Sequence, residues 1–205
     1  MQTTLTLSAS NLCIERSEKL LCDDLSFRVR AGEILHITGE NGAGKSSILK
    51  VIAGILQPLS GDLDFSGEDI SLYRDVLQAE LLFLGHSTGV KNVLTVFENL
   101  QLYFPKATDT EINNALMAVN LEGYLVTEAH QLSAGQKKRI ALAKLWLTDK
   151  KVWLLDEPFS ALDTRGIKVL EYKLKEHVEC GGLILLTTHQ KPSSVLDVKE
   201  LHLSL

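Results

Sequence analysis

The sequence predicts an α/β fold with a mostly parallel central sheet, and three observations carry that prediction. Gly39-Glu40-Asn41-Gly42-Ala43-Gly44-Lys45-Ser46 fits G-x-x-x-x-G-K-[ST], with an apolar run before it and a helical pattern after it. Val152-Trp153-Leu154-Leu155 is a continuous apolar run, as expected of a strand buried on both faces. A helical pattern then leads to a second such run, Leu183 to Leu186, and strand, helix, strand with a short return is a parallel crossover unit.

Taken in order, Leu5 to Ile14 and Leu25 to Arg30 alternate apolar and polar residues in part and read as strands, with a polar turn from Glu15 to Lys19. Ile34 to Thr38 is the buried strand feeding the glycine-rich loop. Lys45 to Gly54 is the helix leaving it, with Ile48, Leu49 and Ile52 at helical spacing. Glycines at 42 and 44 let backbone N–H groups turn inward, and the helix N-terminus adds partial positive charge, so the loop reads as a phosphate cradle. Its candidate nucleotide contacts are Gly39, Glu40, Asn41, Gly42, Ala43, Gly44, Lys45, Ser46 and Ser47. Lys45 would reach the β- and γ-phosphates and the Ser46 hydroxyl would ligate Mg²⁺. Gln57 to Gly61 breaks the helix, Asp62 to Phe65 is a short strand, and Ser66 to Asp69 a turn.

From about residue 86 the pattern is helical. Thr95-Val96-Phe97-Glu98 is a capping box opening a helix that Pro105 stops, and Thr108-Asp109-Thr110-Glu111 repeats the device, with Gly123 as the expected stop. Ile140, Ala143 and Leu147 share one face of a helix expected over about 136 to 148. Its first turn carries Lys137, Lys138 and Arg139, which oppose the helix dipole. Either an anion or acidic partner meets them, or they are a solvated basic face, the reading kept for Lys138. Asp163 caps a further helix, with Ile167, Leu170, Leu174 and Val178 on one face and Gly181-Gly182 closing it. An all-helical insert thus separates two halves that carry strands.

Composition sets bounds. At 205 residues the chain can bury a sizeable core and is most simply one domain, and a net charge of −5 offers no general pull on nucleic acid or anionic lipid. Cys13, Cys22 and Cys180 lie far apart, which suits a reducing compartment. No run approaches the length of a membrane span, so at a membrane another chain must supply it. Leu155-Asp156-Glu157-Pro158 places two carboxylates at the carboxyl end of a central strand, beside where the phosphate loop should lie. Asp156 would hold Mg²⁺ through water, and Glu157 would orient and deprotonate an attacking water.

With Leu132-Ser133-Ala134-Gly135-Gln136, Ser160-Ala161-Leu162-Asp163 and His189 added in order to these motifs, the chain resembles the nucleotide-binding subunits of ATP-binding-cassette (ABC) transporters over nearly its whole length. The resemblance implies a P-loop ATPase of one domain. Its nucleotide-binding core would cover 1–85 and 145–205 with an antiparallel β subdomain, and its helical subdomain 86–144. It also implies two copies head to tail, with MgATP between the phosphate loop of one and Ser133, Gly135 and Gln136 of the other. His189 would hold the γ-phosphate and keep water aligned with Glu157. Three places depart from the usual pattern. His86 stands where a glutamine normally senses the metal, Ala134 replaces a glycine, and Arg16 rather than an aromatic residue is nearest to where adenine stacks.

These departures, with Thr187-Thr188-His189-Gln190 and Lys144-Leu145-Trp146-Leu147, resemble the ATPase subunits of bacterial cytochrome c maturation systems. That branch implies integral membrane partners, a place on the cytoplasmic face of the inner membrane, and hydrolysis coupled to haem export or release of a haem-loaded chaperone. A soluble ABC-type ATPase of ribosomes or DNA is the competing reading, set back by the lack of a second cassette or a long coiled-coil insertion. No nucleic-acid partner is expected.

Overall fold

The computed structural model describes residues 5–16, 19–160 and 162–203. Two compact units divide the chain: Met1–Gly85, Lys150–Pro158 and Leu174–Leu205 form the first, His86–Asp149 and Phe159–Lys173 the second.

In the first unit β1 (Thr6–Arg16) and β2 (Lys19–Arg30) pair antiparallel. β3 (Ile34–Gly39) leads through the glycine-rich loop into α1 (Lys45–Ile52), and β4 (Ser60–Phe65), β5 (Glu68–Asp69), α2 (Arg74–Glu80) and β6 (Leu81–Leu84) follow. Of the polar stretch expected as a turn, the described residues Glu15, Arg16 and Lys19 are ladder positions, with Glu15 opposite Leu20 and Arg16 opposite Lys19; residues 17 and 18 lie outside the described residues. These three charges are exposed strand positions rather than a break in the pairing. Among the described residues, β2-β1-β4-β5 make one antiparallel sheet.

With β7 (Val152–Asp156), β8 (Leu183–Thr187) and β9 (Lys199–Leu203), the second sheet runs β6-β7-β8-β3-β9, parallel at every pairing. β7 and β8 are buried at all positions, which is why they read as unbroken apolar runs. One core joins both sheets, with Leu7, Ile14 and Phe65 from the antiparallel sheet, Ile37, Leu154 and Leu185 from the parallel one, and Ile48, Leu49 and Ile52 from α1. Emptying such a position, as in Leu154→Ala, costs about 3 kcal/mol in typical cores. The parallel order sets the carboxyl ends of β3, β7 and β8 side by side, and the functional residues follow those ends.

The second unit is helical: α3 (Val96–Tyr103), α4 (Asp109–Ala118) and α5 (Ala134–Ala143), the last continuing as a 3₁₀ turn, Lys144–Trp146. α6 (Thr164–Glu179) begins in this unit and ends in the first. Both expected capping boxes form, with Thr95 and Thr108 each accepting the N3 amide and the N3 glutamate accepting the cap amide. Those backbone bonds hold the Glu98 and Glu111 carboxyls below the usual range. The stop of α4 is not Gly123. Asn120, at φ 57, takes the left-handed position, and Leu121 N–H donates to Leu116 O at 2.8 Å. Asparagine tolerates that conformation better than most residues with a Cβ.

Lys144 is 5 % exposed, with Nζ 3.3 Å from the centroid of the Tyr103 ring. Burial pushes its ammonium down to about 8. In the unfolded chain it titrates near 10.4, so between those values the unfolded chain binds more protons, and stability rises with pH. Lys144→Met is expected to raise the unfolding free energy by about 1 kcal/mol at pH 7, the lost cation–π contact offsetting part of the relieved desolvation. It should also flatten the rise between pH 8 and 10. Urea unfolding at both pH values checks this, and a variant as pH-dependent as the parent contradicts it.

Candidate nucleotide site

The loop between β3 and α1 owes its shape to two glycines. Gly44, at φ 95, precedes α1, and a Cβ there would lie 2.9 Å from Leu21 Cβ; at Gly39, φ 139, a Cβ would lie 2.9 Å from Leu203 O. The loop therefore lies close to β2 and β9, and a side chain at either position would push it off. Lys45 is 8 % exposed, and its Nζ donates to Gly39 O at 2.8 Å and Glu40 O at 2.9 Å. An ammonium carries three N–H groups, so one remains to meet a phosphate.

Asn41, Gly42, Gly44, Lys45, Ser46 and Ser47 line a cavity of about 320 Å³ together with Arg16, Leu21 and His189. Arg16 reaches it from the end of β1, and Leu21 from β2. The loop brings amide donors, a cation and a hydroxyl to one place, which is the chemistry that holds a polyphosphate.

Behind this cavity the ends of β7 and β8 interlock. Ser46 Oγ donates to Asp156 Oδ1 at 2.9 Å, and Thr187 Oγ1 donates to the same oxygen at 2.8 Å. Asp156 is 1 % exposed. A serine hydroxyl beside a buried carboxylate is a hard-oxygen donor pair, and Mg²⁺ takes such donors, so the residues fit that ion. Glu157 follows with φ 52, a left-handed conformation that is uncommon for a residue with a side chain. Its N–H donates to Thr187 O and Thr187 Oγ1, each at 3.1 Å, which fixes that backbone turn. His189 N–H donates to Glu157 Oε2 at 3.4 Å, and His189 Nε2 lies 3.5 Å from Glu157 Oε1. Strained backbone held by several bonds at a strand end is typical of functional positions.

Thr187 was not singled out from the sequence. Its role follows from the β7–β8 register, which sets Asp156 opposite Thr187, and register across parallel strands has no mark in either strand alone. Leu21 likewise counts only because the hairpin turns back over Gly44.

In the second unit, Ser133 is the N-cap of α5 in a third capping box. Its Oγ accepts Gln136 N–H at 3.2 Å, and Gln136 Oε1 accepts Ser133 N–H at 2.9 Å. The helix therefore begins at Ala134, earlier than the apolar spacing predicts. Ser133 is exposed and Gly135 half-buried, so the first turn faces outward. The basic residues after it are engaged: Lys137 Nζ donates to Asn92 Oδ1 at 2.8 Å, and Arg139 lies 3.9 Å from Asp163. Lys138 is 8 % exposed, so the expected solvated face is corrected to a buried stem. Asp163 Oδ1 also accepts Gly166 N–H at 2.7 Å, the expected cap of α6. Ala161, of the stretch 160–163, lies outside the described residues. His86 is the first residue of the second unit.

A glycine-rich loop with its lysine, a buried aspartate on the loop serine, and a glutamate and histidine at adjoining strand ends are the groups that a P-loop nucleotide hydrolase requires. The chain matches the ABC transporter family over residues 22–160 and belongs to it, as an ATP-hydrolysing subunit. Within that family it is 45% identical to the cytochrome c biogenesis ATP-binding export protein CcmA of Shewanella frigidimarina, across 96% of this chain and 92% of that one. It is 44% identical to the protein of the same name from Mannheimia succiniciproducens, across 98% and 96%. Its fold resembles the solved ATP-binding subunit of an ABC transporter, with a TM-score of 0.78 and 26% identity, over 89% of this chain and 79% of that one. No helix among the described residues is long and apolar enough to cross a membrane.

Proposed function

We propose that the chain is the ATP-hydrolysing subunit of a cytochrome c biogenesis exporter, working as a pair of copies beneath integral membrane subunits on the cytoplasmic face of a bacterial inner membrane. The observation that carries this reading is the interlock of Ser46, Asp156, Thr187, Glu157 and His189 at the mouth of the phosphate loop. The names of relatives 45% identical over most of the chain supply the cytochrome c context.

In this reading the loop amides from Gly39 to Ser47 and the Lys45 ammonium hold the triphosphate. Ser46 and Asp156 would hold Mg²⁺, which when bound would supply positive charge against the triphosphate. Glu157 takes a proton from the attacking water, and His189 keeps the γ-phosphate and Glu157 in register. His86 would assist in holding that ion, a role assigned from its place in the chain after β6. Ser133, Gly135 and Gln136 of a second copy close over the γ-phosphate, as an exposed helix N-terminus is suited to do. No transmembrane helix is needed in this chain, since contact with the membrane comes through its partners.

Arg16 is assigned to adenine, because a guanidinium can stack on a base and this one lines the cavity beside the loop. Arg16→Ala is expected to weaken ATP binding about fivefold to tenfold, the size of one lost cation–π contact. Calorimetric titration with ATP and with inorganic triphosphate separates the cases, since only ATP should be affected. The proposal as a whole is tested by affinity capture from detergent-solubilised membranes. Recovery of an integral membrane protein of an export system is the expected result, and recovery of ribosomes or DNA in its place overturns it.

A further inference from the structure

His36 lies in the middle of β3, between Leu186 of β8 and Glu200 of β9, and is 5 % exposed. An apolar residue would fill this place in a parallel core, as Ile34 and Ile37 do on the same strand. Its Nε2 lies 3.1 Å from the carbonyl oxygen of Thr188, just beyond the end of β8. A carbonyl only accepts, so Nε2 must carry the proton and donate. Nδ1 has no protein partner among the described residues, and the ring's one polar link is therefore to that carbonyl.

The Thr188 carbonyl and the His189 N–H belong to one peptide unit. Its oxygen accepts from His36 and its N–H donates to Glu157 Oε2 at 3.4 Å. A trans peptide is planar with C=O and N–H pointing opposite ways, so fixing one end aims the other. The flanking residues are tied as well: Thr187 to Asp156 and Glu157, and Gln190 N–H to Thr188 Oγ1 at 3.1 Å.

We propose that His36 is a positioning residue for hydrolysis, donating to the Thr188 carbonyl so that the 188–189 peptide holds the Glu157 carboxylate and the His189 ring in register with the attacking water. It touches neither nucleotide nor metal and acts through that peptide alone. The proposal rests on the reading of Glu157 as the base.

The test compares His36→Leu, which removes the donor, with His36→Gln, whose amide can donate from a similar reach. His36→Leu is expected to lower kcat about tenfold, the lower end for groups that orient a working residue from behind, while ATP affinity without metal stays within about twofold. His36→Gln is expected to recover most of the rate. A merely structural residue would shift affinity and unfolding midpoint together and show no recovery, and that outcome overturns the proposal. The wild-type chain gives a check that needs no variant: ¹⁵N spectra of His36 should show the proton on Nε2, and a proton on Nδ1 alone sinks it. Glu157→Gln assayed alongside separates the two readings. Normal turnover there removes the base, whereas slow turnover there with His36→Leu at the parental kcat removes His36 alone.

Discussion

Glu157→Gln is expected to lower ATP turnover about a thousandfold, or about 4 kcal/mol in the barrier, while leaving ATP binding within about twofold of the parent. The amide keeps the shape of the side chain but cannot take a proton. The backbone around it has no reason to move, since Thr187 holds the residue through its N–H. One acceptor oxygen survives for His189 N–H. The phosphate contacts proposed above lie on a different element, the loop before α1, so nucleotide should still bind. Steady-state phosphate release and ATP titration measure the two quantities. Turnover near the parental rate would remove Glu157 as the base.

Lys45→Ala is expected to raise the dissociation constant for ATP about a hundredfold, close to 3 kcal/mol, the order expected for a charge-assisted contact to phosphate with its supporting bonds. Two losses add here. The phosphates lose the cation, and the Gly39 and Glu40 carbonyls lose the donor that fixes the loop. Calorimetric titration reads this directly, and unaltered affinity would show that the lysine supports the loop without meeting the nucleotide.

Much of this site was legible in the sequence because its chemistry is local. Gly39 to Ser46 is contiguous, and so are Asp156 and Glu157, and each sits next to an apolar run that marks a buried strand. Contacts set by register or by return of the chain were not legible. Thr187 reaches Asp156 only because β7 and β8 align as they do, and His36 reaches Thr188 only because β3 pairs with β8. The left-handed backbone of Glu157 carries no glycine to announce it.

The capping role of Ser133 is a different case. The S-x-x-Q pattern at Ser133 and Gln136 is the device read correctly at Thr95 and Thr108, but the basic residues after it drew attention to charge instead of capping. β9 and β6 went unread because Lys199–Leu203 is an edge strand with exposed polar positions, and Leu81–Leu84 follows α2 with no turn residue between.

The central claim is that two copies share each ATP, one supplying the loop and Glu157, the other Ser133 and Gly135. Slow hydrolysis should hold that pair together, so the mass of Glu157→Gln in solution with MgATP is the most direct measurement, made by light scattering on a sizing column. The account predicts a species near twice the 22.6 kDa of one chain, returning to single chains when nucleotide is withdrawn. A single-chain mass at saturating MgATP, with the parent hydrolysing at full rate under the same conditions, would contradict it.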